Sequence, residues 1–272
     1  MKKGKGRIPL RRRTASSVAL GATLGVLVAV TIAGFFLLDT KHLDVVQAGA
    51  KLFKDLGGMM AHPAAEHFSI SEALTSILIT LCLGFLTTLL GAVLALFFGL
   101  FAARNLSRPG VVVFLKAFVA VIRAIPTVLW VLIFAIGAGL GSVAAVMGMT
   151  FHSFGYLLKA YSEAFEEIDA EIINALKAYG ANWLQIVLRA VIPSSMGPII
   201  SWTFMRFEIN FTNAVAMGAA AGAGGIGYDL FMASGFYFNI GEVGTITWLI
   251  LFVAIFLEIG ATRLKRTQHV QN

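Results

Sequence analysis

An all-α fold of about six membrane-spanning helices is the fold class that the sequence predicts, and three observations lead to it. The 272 residues are 58% hydrophobic and only 13% charged, whereas soluble domains carry roughly 25% charged residues. Several apolar runs reach the roughly 20 residues that a helix needs to cross a bilayer. The net charge of +7 is concentrated at both termini and in short loops, which is typical of membrane topology and gives no basic face for nucleic acid.

The first predicted span covers residues 18–38 and follows a strongly basic segment. The basic residues are Lys2, Lys3, Lys5, Arg7, Arg11, Arg12 and Arg13. A signal peptide is the alternative interpretation of this arrangement. The apolar run is longer than a typical signal-peptide core, and Leu37-Leu38-Asp39 offers no small-residue cleavage site. We therefore expect a basic cytoplasmic N-terminus at 1–17 and a retained transmembrane helix at 18–38.

Residues 39–72 are polar and are predicted to form an extracytoplasmic loop. His42, His62 and His67 are scattered among acids and lysines in this stretch. A metal site needs ligands that converge on one point, and neither these histidines nor the single Cys82 suggests one. The sequence predicts no metal and no intramolecular disulfide.

The remaining spans form a predicted membrane-embedded core at 73–265, followed by a cytoplasmic tail at 266–272. Spans are expected at about 74–103, 111–138, 142–161, 193–216 and 243–262. In the second of these, Ala124-Ile125-Pro126 breaks or kinks the helix. Six spans place both termini on one side, and the basic residues at Arg104, Arg108 and the tail mark that side as cytoplasmic.

A polar amphipathic segment, residues 171–193, lies between two of these apolar stretches. Its apolar residues recur at steps of four and seven, which places them on one helical face; they are Ile168, Ile172, Leu176, Trp183 and Val187. Gly180 interrupts the face, and Pro193 is expected to start the next element. The segment is interpreted as a docking surface for a soluble partner, with an amphipathic connector on the membrane surface as the alternative.

The glycine run at 222–227 satisfies the G-x-G-x-x-G pattern of dinucleotide sites literally. That motif requires a preceding strand and a βαβ unit, whereas a membrane helix precedes it here. The glycines are expected to permit sharp turns where the chain leaves the membrane. The sequence shows no Walker A motif, no H-E-x-x-H and no supported Ser/His/Asp arrangement. We therefore predict that the chain is not itself an enzyme and binds no cofactor.

Several polar residues fall inside predicted spans, where ionisable groups are costly and face a cavity or a partner. They are Arg206, Glu208, Asn210 and Asn213, together with Arg123 just before the Ile125-Pro126 break. Two interpretations stay open for the first four: an interhelical contact that fixes packing, or a polar lining of a substrate path. Arg123 either faces an anion in a cavity or extends to the membrane interface.

The sequence resembles the phosphonate/phosphite-type permeases of ABC importers over roughly residues 70–265. The cytoplasmic loop of these permeases carries E-A-A, three residues, Gly, nine residues and I-x-L-P. Here the pattern is filled by Asn174, Ala175, Leu176, Gly180, Ala190, Ile192 and Pro193, with Asn174 and Ala190 as departures. Arg123-Ala-Ile-Pro-Thr127, Arg206-Phe-Glu208 and Gly224-Gly-Ile-Gly227 complete the resemblance, while Phe211-Thr212-Asn213 departs from the Arg-containing run of that family.

The resemblance implies a type I ABC importer permease fold that moves a phosphonate, phosphite or related small phosphorus oxyanion by alternating access. The partners it implies are a second copy of the chain, two cytoplasmic ATPase subunits that carry ATP and Mg, an extracytoplasmic substrate-binding protein and the bacterial inner-membrane lipid. Coupling to the ATPase is assigned to the 170–188 helix within the loop 162–192, at Asn174, Ala175, Leu176, Gly180, Ile192 and Pro193.

The residues implied for the translocation path are Arg123, Pro126, Arg206, Glu208, Asn210, Asn213, Gly224, Gly225 and Gly227. The alternatives are an ABC permease for another small solute such as an amino acid, or an ion-coupled secondary transporter, a class in which internal repeats are frequent.

Overall fold

The computed structural model describes residues 15–37 and 44–269, and the regular structure in these ranges is helical. The helices are α1 (Ala15–Leu37), α2 (Val45–Ala61), α3 (Ile70–Ala102), α4 (Pro109–Ala124), α5 (Thr127–Ala138), α6 (Ser142–Glu166), α7 (Ala170–Ala178), α8 (Trp183–Ile186), α9 (Ile192–Ala221), α10 (Ile226–Phe231) and α11 (Ile240–His269). The chain divides into two compact units between Phe53 and Lys54.

Helix α1 belongs to the first unit and has no buried residue. It is apolar on every side, as expected for a helix whose surroundings are lipid. The basic residues of the predicted N-terminus, at 2–13, lie outside the described residues, as do residues 38–43 and 270–272.

Helix α2 corrects the prediction that residues 39–72 form a loop. The Asp44 carboxylate accepts hydrogen bonds from the backbone N–H groups of Val46 and Gln47, both at 3.1 Å, and so caps the start of the helix. Apolar residues then recur every three or four positions along α2. The polar residues between them, which led to the loop prediction, occupy the other side of the same helix.

Four helical stretches among the described residues are long and apolar enough to cross a membrane: Ala15–Leu37, Ile70–Ala102, Trp183–Ala221 and Ile240–Arg263. Helices α4 and α5 would together make a fifth, but they meet at 92°. The predicted break at Ala124-Ile125-Pro126 is therefore confirmed, and the two halves do not form one straight span. The sequence predicted about six spans; the two that are missing from these four are the bent α4–α5 pair and α6, which is less apolar than the others.

Helix α6 is polar for a spanning helix because other helices surround it. It packs against α3, α4, α5 and α9, so its outer faces contact protein. Small residues permit the close approach. A Cβ added to Gly148 would lie 2.5 Å from the Val131 backbone of α5, and one on Gly155 would lie 2.7 Å from Ile122 of α4.

The sequence predicted that a new element begins at Pro193, but the helix there continues from the residues before it. The helical path is continuous from Trp183 to Ala221, through a π-helical turn at Val187–Val191. Pro193 lies at the first positions of α9, where a missing N–H can be tolerated because the π-helical turn before it has already changed the bonding pattern.

Candidate functional site

A buried polar cluster lies where α3, α6 and α9 meet. Its members are Thr87, Thr88, Ser153 and Asn210, none more than 2% exposed. The Asn210 side-chain nitrogen donates to the hydroxyl oxygens of Ser153 at 2.8 Å and Thr88 at 2.9 Å, and lies 3.3 Å from that of Thr87. Unpaired amide groups are costly in apolar surroundings, so these bonds favour one relative position of the three helices.

Arg206 extends this cluster and is itself only 2% exposed. Its Nε donates to the Ser153 hydroxyl at 3.0 Å, and its Nη2 donates to Nδ1 of His152 at 2.9 Å. The guanidinium carbon lies 5.1 Å from the ring centroid of Tyr156, within cation–π range. These contacts support the interpretation that Arg206 fixes the packing of the helices. In this conformation its guanidinium contacts three residues of α6.

The contacts of His152 define its tautomer. Arginine carries donors and no acceptor, so Nδ1 must accept the Arg206 hydrogen bond and cannot carry a proton. The Thr127 hydroxyl, 3.0 Å from the same nitrogen, then donates as well. The ring proton is assigned by this geometry to Nε2, on the edge of the imidazole that faces away from Arg206 and Thr127. The ring itself is only partly buried.

The break between α4 and α5 places Arg123 and Pro126 on the surface of the chain, and both are exposed. Pro126 has no N–H to donate to the carbonyl oxygen of Ile122, its helical partner four residues earlier. The indole Nε1 of Trp130 donates to that oxygen instead, at 2.9 Å. The Arg123 side chain packs over Gly155, where an added Cβ would lie 3.6 Å from its Cγ.

Asn213 and Glu208 take different faces of α9. At about 100° per residue, Asn210 and Asn213 fall on the face of Arg206, whereas Glu208 falls about 200° away from it. Glu208 and Asn213 are both partly buried. The structure thus brings Arg206 and Asn210 together in one cluster and places Glu208 on another side of the helix.

The glycine run forms the sharp turns that the sequence predicted. Gly222, Gly224 and Gly225 have φ of +65°, +82° and +70°, a region that favours glycine. The Ile226 N–H donates to the Thr80 hydroxyl of α3 at 3.0 Å. A side chain on Gly227 would collide with the Val215 carbonyl of α9. Gly225 and Gly227 thus allow the loop to pack closely against α3 and α9.

The segment 162–192 contains two separate capped helices. Asp169 caps α7 by accepting from the Glu171 N–H at 2.9 Å, and Gly180 turns the chain with φ +82°. Asn182 and Gln185 then form a reciprocal capping box at the start of α8, with bonds of 2.8 and 2.9 Å. The caps fix where α7 and α8 begin, and buried residues such as Ile173 and Ile186 hold the two helices against the core.

The predicted single apolar face of this segment does not hold across Gly180. The steps of four and seven assumed one helix, but α7 ends at Ala178 and α8 restarts the helical phase at Trp183. Ile168, Leu176 and Ile192 pack against the chain's own core, and Val187 is buried within it. Of the predicted face, Ile172 and Trp183 remain exposed, and the other exposed large apolar residues are Tyr179, Leu184 and Leu188. Among the assigned coupling residues, Asn174, Ala175, Gly180 and Pro193 are exposed.

Trp183 attaches this segment to the turn between α3 and α4. Its indole Nε1 donates to the Leu106 carbonyl at 3.0 Å, and its ring stacks on Phe101 with centroids 5.5 Å apart. Nearby, the Asn105 side-chain nitrogen donates to the Phe165 carbonyl at 2.7 Å. The α3–α4 turn and the 162–192 segment are therefore joined to each other directly.

Glu166 completes this junction at the end of α6. Its carboxylate accepts from Lys116 Nζ and from the Arg104 backbone N–H, both at 2.8 Å. Burial alone would raise the pKa of Glu166, but the hydrogen bonds and charges of Lys116 and Arg104 together hold its pKa below the usual value.

A second set of contacts, not foreseen from the sequence, joins residues 62–69 to the start of α11. The buried Glu242 carboxylate accepts from the backbone N–H groups of Glu66 at 2.8 Å and His67 at 2.6 Å. The His67 ring lies 3.2 Å from the other carboxylate oxygen and stacks on Tyr237 with centroids 4.0 Å apart. His67, expected to be solvated, is thus part of a structural junction.

Sequence reasoning also missed His152, Ser153, Thr87 and Thr88. A signal was present for His152 and Ser153, since adjacent polar residues within a predicted span are costly unless partnered. The threonines gave none, because a helical threonine can bond its own backbone, as Thr88 does to the Gly84 carbonyl at 2.7 Å.

Comparison with known proteins links this arrangement to membrane transport. The family described as binding-protein-dependent transport system inner membrane component matches residues 95–266. The chain is 30% identical over 226 residues to the phosphate-import permease protein PhnE of Mycolicibacterium smegmatis, covering 82% of this chain and 41% of that protein.

It is also 31% identical over 181 residues to the phosphite transport system permease protein PtxC of Stutzerimonas stutzeri, covering 66% of this chain and 65% of that protein. The chain thus spans less than two thirds of the length of both relatives. Among solved structures, an inward-facing conformation of the MetNI methionine ABC transporter matches with a TM-score of 0.66 and 21% identity, over 75% of this chain and 99% of that chain. The likeness to MetNI shows the fold alone.

Proposed function

The chain belongs to the family of binding-protein-dependent transport system inner membrane components, and from this membership we propose that it forms the membrane-spanning permease of an ATP-driven importer. Its fold is that of a type I ABC importer permease. The observation that carries the proposal is the family match over residues 95–266, which includes Ser153, Arg206 and Asn210 of the buried polar cluster and the whole 162–192 segment.

A phosphonate, phosphite or related small phosphorus oxyanion is the proposed cargo. The names of the relatives, a phosphate-import permease and a phosphite permease, support this class. Arg123 and Arg206 support it physically, because fixed positive charges in low-dielectric surroundings lower the barrier to a crossing anion. The proposed path comprises Arg123, Pro126, Arg206, Glu208, Asn210, Asn213, Gly224, Gly225 and Gly227. An amino acid is the second candidate, favoured by the fold likeness to a methionine transporter.

The exposed part of the 162–192 segment is the proposed contact with a cytoplasmic ATPase. Asn174, Ala175, Gly180 and Pro193 are accessible there, and Ile172 and Tyr179 add exposed apolar surface. Leu176 and Ile192 act from behind by packing α7 and the start of α9 against the core. Movement of the segment would reach the α3–α4 turn through Trp183 and the Leu106 carbonyl.

The complete importer would contain two copies of this chain, two ATPase subunits that bind ATP and Mg, and an extracytoplasmic substrate-binding protein. It would lie in a bacterial inner membrane with both termini in the cytoplasm. Nucleotide at one end and loaded binding protein at the other would bias a single inward–outward equilibrium, which is the energetic basis of alternating access.

The test is to purify the tagged chain from its host with whatever ATPase accompanies it, and to measure uptake of methylphosphonate, phosphite and methionine in proteoliposomes. We expect ATP-dependent uptake of a phosphorus oxyanion that requires the binding protein. Uptake of methionine alone would favour the amino acid alternative. Uptake driven by an ion gradient without any ATPase would overturn the proposal.

A further inference from the structure

The imidazole of His152 offers one donor that the protein's described contacts leave unexplained. Nδ1 receives both Thr127 and Arg206, so the ring is neutral and carries its proton on Nε2. The ring is partly exposed, and the hydrogen bonds that it makes with described residues both involve Nδ1. Sequence reasoning had assigned no role to His152.

We propose that the Arg123 guanidinium and the Nε2–H of His152 form a binding subsite for a doubly charged tetrahedral oxyanion, with Arg206 as the positioning residue that fixes the imidazole from behind. This subsite rests on the proposed function, because it lies on the proposed translocation path. It differs from that proposal in making Arg123 and His152, rather than Arg206, the groups that touch the anion.

Proximity supports the pairing of Arg123 with His152. Arg123 packs over Gly155, which follows His152 by three residues and therefore lies on the same side of α6. Arg123 is exposed at the α4–α5 break and forms no ion pair among the described residues, so its donors are available in the fork geometry that suits oxyanions.

Burial separates the role of Arg206 from that of Arg123. Arg206 is 2% exposed, and its Nε and Nη2 are already engaged by Ser153 and His152. It cannot reach a ligand without breaking those bonds. In this position Arg206 donates to Nδ1 of His152, which leaves the proton of the imidazole on Nε2. Its charge still contributes to the local potential.

The chemistry of the subsite selects the charge of its ligand. Arg123 and the Nε2–H are donors, and the two guanidinium groups together supply two positive charges. A fully deprotonated tetrahedral anion offers only acceptors and two negative charges, so every contact can be made. A zwitterionic amino acid would need an acceptor for its ammonium group, and Glu208 lies on another side of α9 from Arg206, about 200° away. A singly charged ester would leave part of the charge uncompensated.

Intrinsic tryptophan fluorescence of the purified full-chain complex can detect binding, because Trp130 bonds the Ile122 carbonyl beside Arg123 and Trp202 packs against Tyr156. The probes are sulfate, methylphosphonate at alkaline pH, its monomethyl ester and L-methionine, without binding protein. We expect saturable changes with the two dianions, about tenfold weaker binding of the ester, and none with methionine.

The variants are Arg123→Gln, His152→Phe, His152→Gln, Arg206→Lys and the exposed control Arg108→Gln. Arg123→Gln and His152→Phe should each weaken sulfate binding about tenfold or more, the usual effect of losing a charge-assisted or anion-directed hydrogen bond. His152→Gln keeps a donor near the Nε2 position and should restore most of the affinity. Arg206→Lys should weaken binding less than Arg123→Gln, while Arg108→Gln should match the wild type.

Thermal unfolding of each variant separates loss of the subsite from loss of the fold. Unchanged sulfate affinity in a folded Arg123→Gln or His152→Phe protein would overturn the subsite. So would equal affinity for the dianions and the ester in the wild type. If the wild type imports methylphosphonate but these results fail, only the subsite is wrong. If it imports no phosphorus oxyanion with its binding protein, the proposed function is wrong.

Discussion

Gly180 is the one described position of the 162–192 segment whose backbone is left-handed, with φ +82°. No atom lies within 4 Å of the place where its Cβ would be. The requirement for glycine is therefore conformational, and the open space outside it is consistent with a contact surface. At the scale of single residues, this separates two effects that a substitution would otherwise mix: backbone strain and added bulk.

We expect Gly180→Trp to abolish ATPase co-purification or to uncouple hydrolysis from transport, while membrane insertion stays intact. Gly180→Ala adds the backbone strain, about 1 kcal/mol, with little bulk, and should weaken coupling only partly. Gly110→Trp adds the same bulk at another open glycine, at the start of α4, and should retain the ATPase. Pull-down and uptake measured together decide; normal transport by Gly180→Trp would contradict the assignment.

Glu166 gives a second prediction at this scale, through pH. Because its folded pKa lies below the usual value of 4.5, its stabilising contribution is complete above the unfolded pKa and is lost as pH falls through the folded pKa. Glu166→Gln should lower stability at neutral pH by up to about 1 kcal/mol, since the pair with Lys116 is partly exposed. The difference between wild type and variant in detergent unfolding should shrink below pH 4.5. A difference that persists unchanged there would contradict the assignment.

Individual helices followed sequence rules where the deciding signal was local. Pro126 predicted the α4–α5 break, the glycines of 222–227 predicted turns, and both are confirmed. The signals that failed were those that assumed a length for an element. The predicted apolar face from Ile168 to Val187 assumed one continuous helix across Gly180. The loop prediction for 39–72 relied on the polar composition and overlooked the apolar residues that recur every three or four positions in α2.

The contact between α5 and α6 gives a prediction at the element scale. A Cβ on Gly148 would lie 2.5 Å from the Val131 backbone, so Gly148→Ala must separate the two helices, at about 1–3 kcal/mol. Gly137 of α5 serves as the control, because no atom lies close to the position of its missing Cβ. Gly137→Ala should be neutral or slightly stabilising because alanine favours helix. Thermal unfolding in detergent compares them; equal melting temperatures would contradict the packing described.

At the scale of the whole molecule, long-range convergence was beyond sequence reasoning. The cluster of Thr88, Ser153 and Asn210 requires the registers of α3, α6 and α9 to be known together, and the Asn210–Thr88 bond alone joins residues 122 apart. Arg206 was predicted as a residue with a partner or a cavity, but the sequence did not name His152 as that partner. Only the packed bundle decides which of the polar residues meet.

Topology is the prediction that belongs to this scale. Single substitutions Asp55→Cys, Gly235→Cys and Ala175→Cys in a Cys82→Ser background can be tested with an impermeant thiol reagent on sealed, right-side-out cells. Charge bias places the first two outside and the third inside. We therefore expect labelling at 55 and 235 and none at 175 until the cells are opened. Labelling at 175 in sealed cells would reverse the orientation.

The junction of Glu242 with residues 62–69 has a consequence for the synthesis of the chain. The backbone N–H groups of Glu66 and His67 find their acceptor 176 and 175 residues later, and a growing chain emerges from its N-terminus first. The segment just before α3 therefore lacks the Glu242 carboxylate as its hydrogen-bond acceptor until the start of α11 has left the ribosome. A nascent chain stopped before residue 240 would hold every helix of the cluster around Asn210 yet lack this closure, so the final helix sets the moment at which assembly becomes complete.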